Sequence, residues 1–412
     1  MSDIIVGLDV GSSAVRVAIG ELTSDGNIEI IGLSSKKSQG LRNGAIVNLE
    51  AAGTVIKEAV DAAEQNAGFE VTSCVVAIGG PQIECRNPRG KVGVPKRGKS
   101  SGEITRADVD RVIENARSIP VAPDKEILHV IPKSYMVDQV GGIKDPINMM
   151  GMCLETEVHI VTASKTAIQN IRDCVNRAGY DLDRIMQKTL AAAQAVVHQD
   201  EMELGSILID LGAGTTDVLV LHNGAPLTSF SLKNCGYYVT NDIAIVKGIP
   251  PAAAEEIKVN DGCCYKDMLD SPREVTIPGV GGRPPELTDQ TEICDIIQPR
   301  MEEIFMTVKS EIVRKTDLTR LSGNIVLTGG GAQMEGVLEL AKDVFGTTAV
   351  RLGIPESLGG IEDDYRKPEW ATAIGLVISQ KDALLQAAQG ARRKRQSGRN
   401  GGLWQKLKKA FF

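Results

Sequence analysis

Two distant stretches of the chain follow one pattern, and this repeat limits what the sequence can fold into. Residues 4–19 and 207–221 each contain an apolar run, a short turn of small residues and a second apolar run. Such runs predict two short buried strands joined by a tight turn. Residues 9–17 align with 210–218 without a gap. One Asp-Gly turn is a common feature, but two matching copies indicate a shared task.

Both turns have the chemistry of a phosphate site. Glycine lets a backbone come close to a ligand, and successive N–H groups in such a turn form an anion site. The acid that ends each first strand, Asp9 or Asp210, supplies an oxygen suited to Mg²⁺ on a phosphate, here through water. Bare acids would repel a triphosphate, so we expect the metal to be required. The residues expected to contact phosphates are Gly11, Ser12, Ser13, Gly212, Gly214 and Thr215.

A third motif, near the end of the chain, accompanies the two phosphate turns. Residues 325–328 predict a strand, residues 329–331 are a Gly-Gly-Gly turn, and residues 335–345 predict a helix. This order lets a flat ring or a ribose lie against the backbone. The three motifs together resemble the superfamily of actin, heat-shock-70 proteins and sugar kinases. The resemblance implies an α/β, actin-like two-lobed fold of duplicated ribonuclease-H-like domains, with ATP in the cleft between them.

Glu255 and Lys258 are three residues apart on a predicted helix, so they share a face. Gly236 precedes Thr240, where another helix is predicted to start. A surface ion pair is one interpretation of Glu255 and Lys258. The other follows from the resemblance, because a Glu-x-x-Lys at this place is similar to the heat-shock-70 adenosine site. It implies nucleoside contacts from Gly236, Glu255, Lys258, Gly329 and Gly330.

Length and composition limit the class of protein to which this chain can belong. A chain of 412 residues predicts two or more domains, at about 150 residues each. No apolar run reaches the roughly 18 residues of a membrane span, and the first residues lack the pattern of a secretion signal. The eight irregularly spaced cysteines predict reduced thiols in a cytosolic protein. Packing is the expected role of the adjacent pair Cys263 and Cys264, with redox activity as the alternative.

Changes in amino-acid composition along the chain predict where its domains begin and end. A segment rich in Gly, Pro and Lys follows Pro81, and a second insertion interrupts the second half, so two small inserted subdomains are expected. The predicted divisions are residues 1–82 and 161–205 for the first lobe, 83–160 for an α+β insert, 206–230 and 311–385 for the second lobe, 231–310 for its insert, 386–402 for a basic linker and 403–412 for an amphipathic helix.

One motif in the first insert is a false match. Residues 93–100 fit the P-loop pattern GxxxxGK[ST]. That motif needs a buried strand before it and a helix that begins at its Lys-Ser end. Residues 89–92 do not look like a buried strand, and the next helix signal is Thr105. A solvated basic hairpin is the preferred interpretation.

Motifs in the two inserts and near the glycine turn show which family of the superfamily the chain resembles. Residues 127–138, 257–263, 280–285 and 327–336 resemble the FtsA family of bacterial cell-division proteins, and the likeness runs from residue 4 to the last residue. It implies ATP binding, self-association into actin-like filaments, and tethering of the FtsZ C-terminal tail by the second insert. It also implies recruitment of later division proteins at the cytoplasmic face of the inner membrane. The alternatives are an actin-like pilus-assembly adaptor and a sugar-kinase-type phosphotransferase.

This chain differs from related sequences at two places that bear on catalysis. Chaperone relatives carry Glu-Pro where this chain has Lys188-Thr189, and a lysine cannot accept a proton from an attacking water as a carboxylate does. Gln187 could orient that water instead. The family often has a histidine in place of Asp261, so a role for that residue is in doubt. We expect at most slow ATPase activity.

The charge is divided unevenly. The chain carries −7 and its last thirty residues +8, so residues 1–382 carry −15. An acidic body argues against nucleic-acid binding. On a helix, the apolar residues of 403–412 fall in one arc of roughly 120°, and about 15 Å of helix lies in a membrane interface rather than spanning it. The residues expected to bind anionic lipid are Leu403, Trp404, Lys406, Leu407, Lys408, Lys409 and Phe411.

One tail of this size binds weakly, whereas many tails in a filament bind firmly, because each later tail acts at high effective concentration. Trp404→Glu should therefore release the protein from anionic vesicles in a sedimentation assay and leave ATP binding intact. Retained vesicle binding by this variant, or tight binding of the monomer to neutral vesicles, would contradict the anchor.

Overall fold

The repeated motif lies in two five-stranded sheets of the same design. The structure is a computed structural model that describes residues 3–95, 102–316, 323–381 and 385. The first part contains strands β1 Asp3–Val10, β2 Ala14–Leu22, β3 Ile28–Lys37, β4 Leu41–Arg42 and β5 Ala45–Ile46, helix α1 Leu49–Ala67 and strand β6 Ser73–Ile78. The next contains β7 Ile83–Arg86, β8 Arg89–Gly93, β9 Gly102–Glu103, α2 Arg106–Arg117, β10 Lys125–Val137, β11 Val140–Ile143, β12 Met150–Gly151 and β13 Cys153–Ser164.

The remaining elements complete the first lobe and form the second. They are α3 Lys165–Ala178, β14 Asp181–Gln187, α4 Lys188–Val196, α5 Gln199–Leu204, β15 Ser206–Leu211, β16 Thr216–His222, β17 Ala225–Leu232, α6 Gly236–Lys247, α7 Pro251–Asp261, β18 Glu274–Ile277, β19 Glu286–Asp289, α8 Gln290–Thr316, β20 Asn324–Thr328, α9 Val337–Phe345, β21 Val350–Leu352, α10 Glu362–Tyr365 and α11 Ala371–Ile378. Short 3₁₀ turns lie at Lys266–Met268, Gly330–Gln333 and Pro368–Trp370.

The two sheets have the same topology. The first has the order β14-β6-β1-β2-β3 and the second β21-β20-β15-β16-β17. In each, three antiparallel strands are followed by two parallel ones. Parallel neighbours need a crossover, and the chain supplies helices there. The α/β fold with two duplicated lobes is confirmed.

Both predicted hairpins are confirmed, with matching register. Asp9 pairs with Arg16 across the first hairpin, and Asp210 pairs with Asp217 across the second. The apolar residues of these strands are buried in the lobe cores. Burial on both faces explains why each strand is a continuous apolar run rather than an alternating one.

Local signals set most helix ends. Asn48 accepts hydrogen bonds from the N–H groups of Glu50 and Ala51 at the start of α1, and Gly68 ends that helix with φ of 65°. Such caps satisfy backbone groups that a helix end leaves unpaired. One predicted start was wrong: α6 begins at Gly236, four residues before the Thr240 signal.

In the described residues of the first insert, a sheet packs against helix α2. Its strands follow the order β11-β10-β13-β7, with β8 also on β13, and α2 packs over β8 and β13. In the described part of this insert, β10 and β13 are the two longest strands. The P-loop interpretation gains no support: β8 is largely exposed, and the next helix begins at Arg106. Residues 96–101 lie outside the described residues.

The second insert contains α6, α7, the β18–β19 hairpin and most of α8. Helix α8 continues without a break from Gln290 to Thr316, so the predicted division at 310/311 falls inside it. The predicted divisions at 160/161 and 230/231 likewise fall inside β13 and β17, and the domain division as a whole stays a prediction. Among the helices of the described residues, none combines the length and apolarity that crossing a membrane requires. Cys263 and Cys264 are free and fully buried, as a packing role implies.

Buried histidines join the first insert to both lobes. His159 Nδ1 lies 2.8 Å from Asn87 Oδ1, and its Nε2 lies 3.4 Å from the Ser229 hydroxyl on β17. His129 Nε2 accepts the Gln187 N–H at 3.0 Å. Burial lowers the pKa of both imidazoles to about 4, and nearby cations add to the effect. Both rings are therefore neutral at pH 7, with His129 Nε2 as an acceptor.

Two small helices meet where the lobes join. Gly375 on α11 lies against α4, and a Cβ at this position would overlap the Ala191 carbonyl oxygen. Ala371, one turn earlier, is also buried. Small residues therefore allow close helix packing at this joint.

Gly375→Ala should destabilise the protein by about 1–3 kcal/mol, because the added methyl forces α11 and α4 apart. Gly53→Ala in α1 is the matched control. Its Cβ would meet only Cys174 O at 3.5 Å and Arg177 Cβ at 3.6 Å, so removing a helix glycine there should stabilise by about 0.5–1 kcal/mol. Urea unfolding measures both. Equal effects of the two substitutions would contradict the close packing.

The histidine pair predicts a pH dependence of stability. Because the folded pKa values lie below the ordinary 6.5, stability is full above about pH 6.5 and falls as the pH drops toward 4. Between pH 5 and 6, unfolding should be accompanied by the uptake of about two protons from solvent, one on each of these histidines. His159→Gln should reduce the uptake to about one, whereas exposed His222→Gln should leave it unchanged. The pH dependence of the free energy of unfolding in urea provides the measurement.

Candidate functional site

A cleft of about 520 Å³ lies between the lobes, and both hairpin turns open into it. It is also lined by the glycine turn after β20 and by α7. Every phosphate, metal and nucleoside residue proposed from the sequence lies on its wall. These residues are Asp9, Gly11, Ser12, Ser13, Asp210, Gly212, Gly214, Thr215, Gly236, Glu255, Lys258, Gly329 and Gly330.

The two turns come into close contact at one end of the cleft. A Cβ on Gly214 would overlap the Ser12 hydroxyl, so only glycine fits there. The N–H groups of Gly11 and Gly212 close their own turns by donating to Ala14 O and Thr215 O, at 3.1 and 3.0 Å. The backbone N–H groups of Gly11 and Gly212, which were predicted to contact phosphate, are therefore already used within their own turns.

We expected the acids at the turns to have no cation of the protein beside them, and this expectation was wrong for Asp210. Lys188, the first residue of α4, places Nζ 3.0 Å from Asp210 Oδ2. Burial disfavours its charged form, but the carboxyl groups of Asp210, Asp9 and Asp217 outweigh that effect and hold its pKa above the ordinary value. An ammonium group thus stands among the acids at the phosphate end. Alignment had placed position 188 near the reacting phosphate, but could not show what the lysine contacts.

Asp210 is only partly satisfied by this pair. Its Oδ1 is buried without a hydrogen-bond partner, and burial raises its pKa although Lys188 opposes the shift. Asp217 is fully engaged, since it accepts from Gly80 N–H at 3.1 Å and from the Thr215 hydroxyl at 2.7 Å. Asp217 therefore holds the lobes together and is no free carboxylate for catalysis.

The free oxygen of Asp210 fits a metal ligand, but the protein alone offers few. Within the described ranges, no cluster of three or more His, Cys, Asp or Glu side chains could hold a metal ion. A hard cation needs about six oxygens. The residues therefore fit Mg²⁺ that is held chiefly by phosphate and water, with Asp9 and Asp210 at its edge.

Glu255 and Lys258 belong to the cleft wall. Their side chains pair at 2.7 Å, and the lysine side chain is only 10% exposed. Lys258 Nζ also donates to Thr240 Oγ1 at 3.0 Å and to Gly236 O at 3.3 Å. The surface-pair interpretation is wrong for Lys258, because this network orients it toward the cleft.

The opposite wall suits a flat ring. Gly329 has φ of 82°, a conformation that strongly favours glycine, and a Cβ there would overlap Asp210 Oδ1. Met301 and Ile304 of α8 supply an apolar surface nearby, together with Met334. Sequence reasoning missed the α8 residues, since a helix pattern does not show which turn faces a distant cleft.

Gln187 does not face the cleft. Its side-chain amide donates to the Ser229 hydroxyl at 3.0 Å, which belongs to the buried junction with the first insert. The expectation that it orients an attacking water was wrong. The membrane-binding residues proposed in the tail, from Leu403 to Phe411, lie outside the described residues, so the anchor stays a prediction.

The duplicated lobes and their facing hairpins define an actin-like protein. Solved structures share this fold: the PilM-PilN type IV pilus biogenesis complex has a TM-score of 0.64 at 19% identity, covering 92% of this chain and 98% of that chain. ADP-bound MreB5 of Spiroplasma citri has a TM-score of 0.55 at 13% identity, covering 94% and 98%. Likeness at this level shows the fold alone.

Sequence comparison narrows the class to one family. The model "Cell division protein FtsA" matches residues 207–375, and "SHS2 domain inserted in FTSA" matches residues 80–162. Cell division protein FtsA of Borreliella burgdorferi is 40% identical over 91% of this chain and 90% of its own length. The Escherichia coli K12 protein is 35% identical over 93% and 91%. The chain belongs to the FtsA family of cell-division proteins.

This result confirms the resemblance drawn from the motifs. The alternative of a pilus-assembly adaptor retains only a likeness of fold. The sugar-kinase alternative would need a free catalytic carboxylate, and Asp217 on the second hairpin is not free, because Gly80 and Thr215 donate to it.

Proposed function

We propose that this cell-division protein binds Mg·ATP in the cleft and uses the bound state to assemble at the membrane. The observation that carries the proposal is the convergence of both hairpin turns, the Gly329 turn and α7 on one cleft between the lobes. Their spacing along the chain gives no other reason for them to meet. An actin-like neighbour, MreB5 of Spiroplasma citri, has been solved with ADP and with AMPPNP.

Each wall has a distinct role in this proposal. The N–H groups that follow Gly11 and Gly212 bind phosphate oxygens, while Lys258 and Glu255 bind the ribose and purine edge. The apolar side chains of Met301 and Ile304 exclude water from one ring face. Mg²⁺, when bound with the nucleotide, neutralises phosphate charge, and Asp9 and Asp210 hold its water ligands.

Hydrolysis in this site is slow. Lys188 stands where chaperone relatives carry a carboxylate, and Asp217 is engaged by its two donors. General-base catalysis needs a group that can accept a proton from water, and neither side chain is available for that. ATP therefore serves mainly as a ligand that stabilises one state of the protein.

Outside the cleft, the protein links FtsZ to the membrane. The C-terminal tail of FtsZ docks on the second insert, the tail of this chain binds anionic lipid at the cytoplasmic face, and filaments of the chain join many such anchors. Later division proteins join at the same place. The family supports this assignment, and the insert offers a suitable surface: Ile245 and Val246 on α6 are 71% and 63% exposed.

The loop between β18 and β19 adds an ordered edge to this surface. Gly281 and Gly282 have φ of 63° and 85°, and Arg283 donates to Val280 O and Gly248 O, both at 3.2 Å. A loop held in this way loses little entropy when a peptide binds beside it.

Asp210→Ala should abolish the Mg²⁺-dependent part of ATP binding, because it removes the buried oxygen next to the metal. Titration calorimetry should then give the same affinity with Mg²⁺ as with excess EDTA, whereas the unchanged protein binds more tightly with Mg²⁺. Exposed Asp25→Ala is the control and should behave as the unchanged protein. A normal Mg²⁺ response in Asp210→Ala would contradict the placement of the metal.

Recruitment of FtsZ to vesicles tests the partner assignment. With ATP, the protein should sediment with anionic vesicles and bring FtsZ with it. Ile245→Asp with Val246→Asp should abolish FtsZ recruitment and keep vesicle binding, because it places charges on the apolar α6 face. The matched control on the first insert is Met150→Asp with Met152→Asp, at residues 57% and 58% exposed. If only the control pair prevents recruitment, the assigned insert is wrong.

A further inference from the structure

Lys188 lines the cleft, yet the proposed function gives it no part in binding the nucleotide. It starts α4 in the first lobe, yet its ammonium group pairs with Asp210 of the second lobe. Its side chain is 16% exposed. The carboxyl groups of Asp9 and Asp217 also act on it. The pair thus joins the lobes at the end where the turns meet.

The lysine is held in this position by close packing. A Cβ on Gly79 would come within 3.1 and 3.2 Å of Lys188 Cβ and Cδ, so the glycine leaves room for the lysine stem. A Cβ on Gly212 would lie 3.7 Å from Nζ. The ammonium group therefore lies beside the second phosphate turn. An ammonium has three donors, and the contact with Asp210 uses one of them.

We propose that Lys188 is a built-in cation of the phosphate end, which neutralises Asp210 in the empty cleft and donates to phosphate oxygens when a nucleotide enters. The inference rests on the proposed nucleotide site. It changes the role of the metal, because the lysine supplies positive charge that the acids would otherwise take from Mg²⁺. Nucleotide binding by this chain then depends only weakly on divalent metal.

The same geometry limits what Asp210 offers to a divalent ion in the empty cleft. Lys188 occupies Asp210 Oδ2, which leaves one free oxygen on that side chain. Removing the ammonium group would leave the carboxyl groups of Asp9 and Asp210 on the cleft wall without a cation beside them. Such a pair attracts a divalent ion, so loss of Lys188 should increase metal binding in the absence of nucleotide.

The first experiment measures ADP affinity by calorimetry with Mg²⁺ and with excess EDTA. In the unchanged protein, removing Mg²⁺ should weaken binding by less than about tenfold. In Lys188→Gln, removing Mg²⁺ should weaken ADP binding by a further factor of about 10–100, the range expected for lost charged hydrogen bonds. Lys188→Arg should restore the weak dependence. Lys144→Gln, which removes an exposed lysine paired with Glu203, is the matched control.

The outcomes separate the two proposals. If the unchanged protein binds ADP with Mg²⁺ but Lys188→Gln shows the same Mg²⁺ dependence, Lys188 serves only to join the lobes and this inference is overturned. If the unchanged protein binds no ADP under either condition, the proposed function fails and the inference fails with it.

A second measurement needs no nucleotide. Mg²⁺ alone should raise the Tm of Lys188→Gln and leave the Tm of the unchanged protein unaltered. Equal responses of the two proteins would overturn the inference. Should Lys188→Gln not fold, the double variant Lys188→Gln, Asp210→Asn removes both charges of the pair. It should fold and bind ADP with little Mg²⁺ dependence, and a strong dependence would again count against Lys188.

Discussion

The arrangement of the molecule depends on how negative side chains are tolerated where two lobes meet. Asp9 and Asp210 line the inner end of the cleft and Asp217 lies behind it, and each carboxyl group has a different way of being stabilised. Asp217 accepts from Gly80 and Thr215, Asp210 pairs with Lys188, and Asp9 lies close to the same ammonium group. The contacts of Asp210 and Asp217 cross from one lobe to the other, so charge compensation also sets how the lobes sit together.

The sequence predicted the parts of the fold that depend on local pattern. Both hairpins follow from spacing and are present, and the caps at Asn48 and Gly68 and the small residues at 371 and 375 are features of the same local kind. The cleft residues were also found, because each copy of the motif brings its own turn and acid. The start of α6 at Gly236 was missed, since backbone contacts from Gly236 and Tyr237 to the second hairpin turn override the Thr240 signal.

The contacts that escaped prediction are those between distant segments. Nothing in the pattern around Lys188 shows that Asp210 would be its partner, because the pair depends on how two lobes dock. The same holds for Gln187, which looks free in sequence and is bound to Ser229 in the fold. Met301 and Ile304 lie on a long helix whose apolar positions look alike, and only the tertiary structure shows that these two reach the cleft.

The duplicated topology gives each lobe an equivalent glycine turn, one after β6 and one after β20. In the first lobe, Gly80 N–H is engaged by Asp217 and the chain leaves at once for the insert. In the second lobe, Gly329 and Gly330 face the cleft. A pseudo-symmetric cavity would accept an elongated ligand in either direction. Here Gly80 is held by Asp217, whereas the space beside Gly330 is open, so the two turns are no longer equivalent and a ligand entering the cleft would meet different chemistry at each of them.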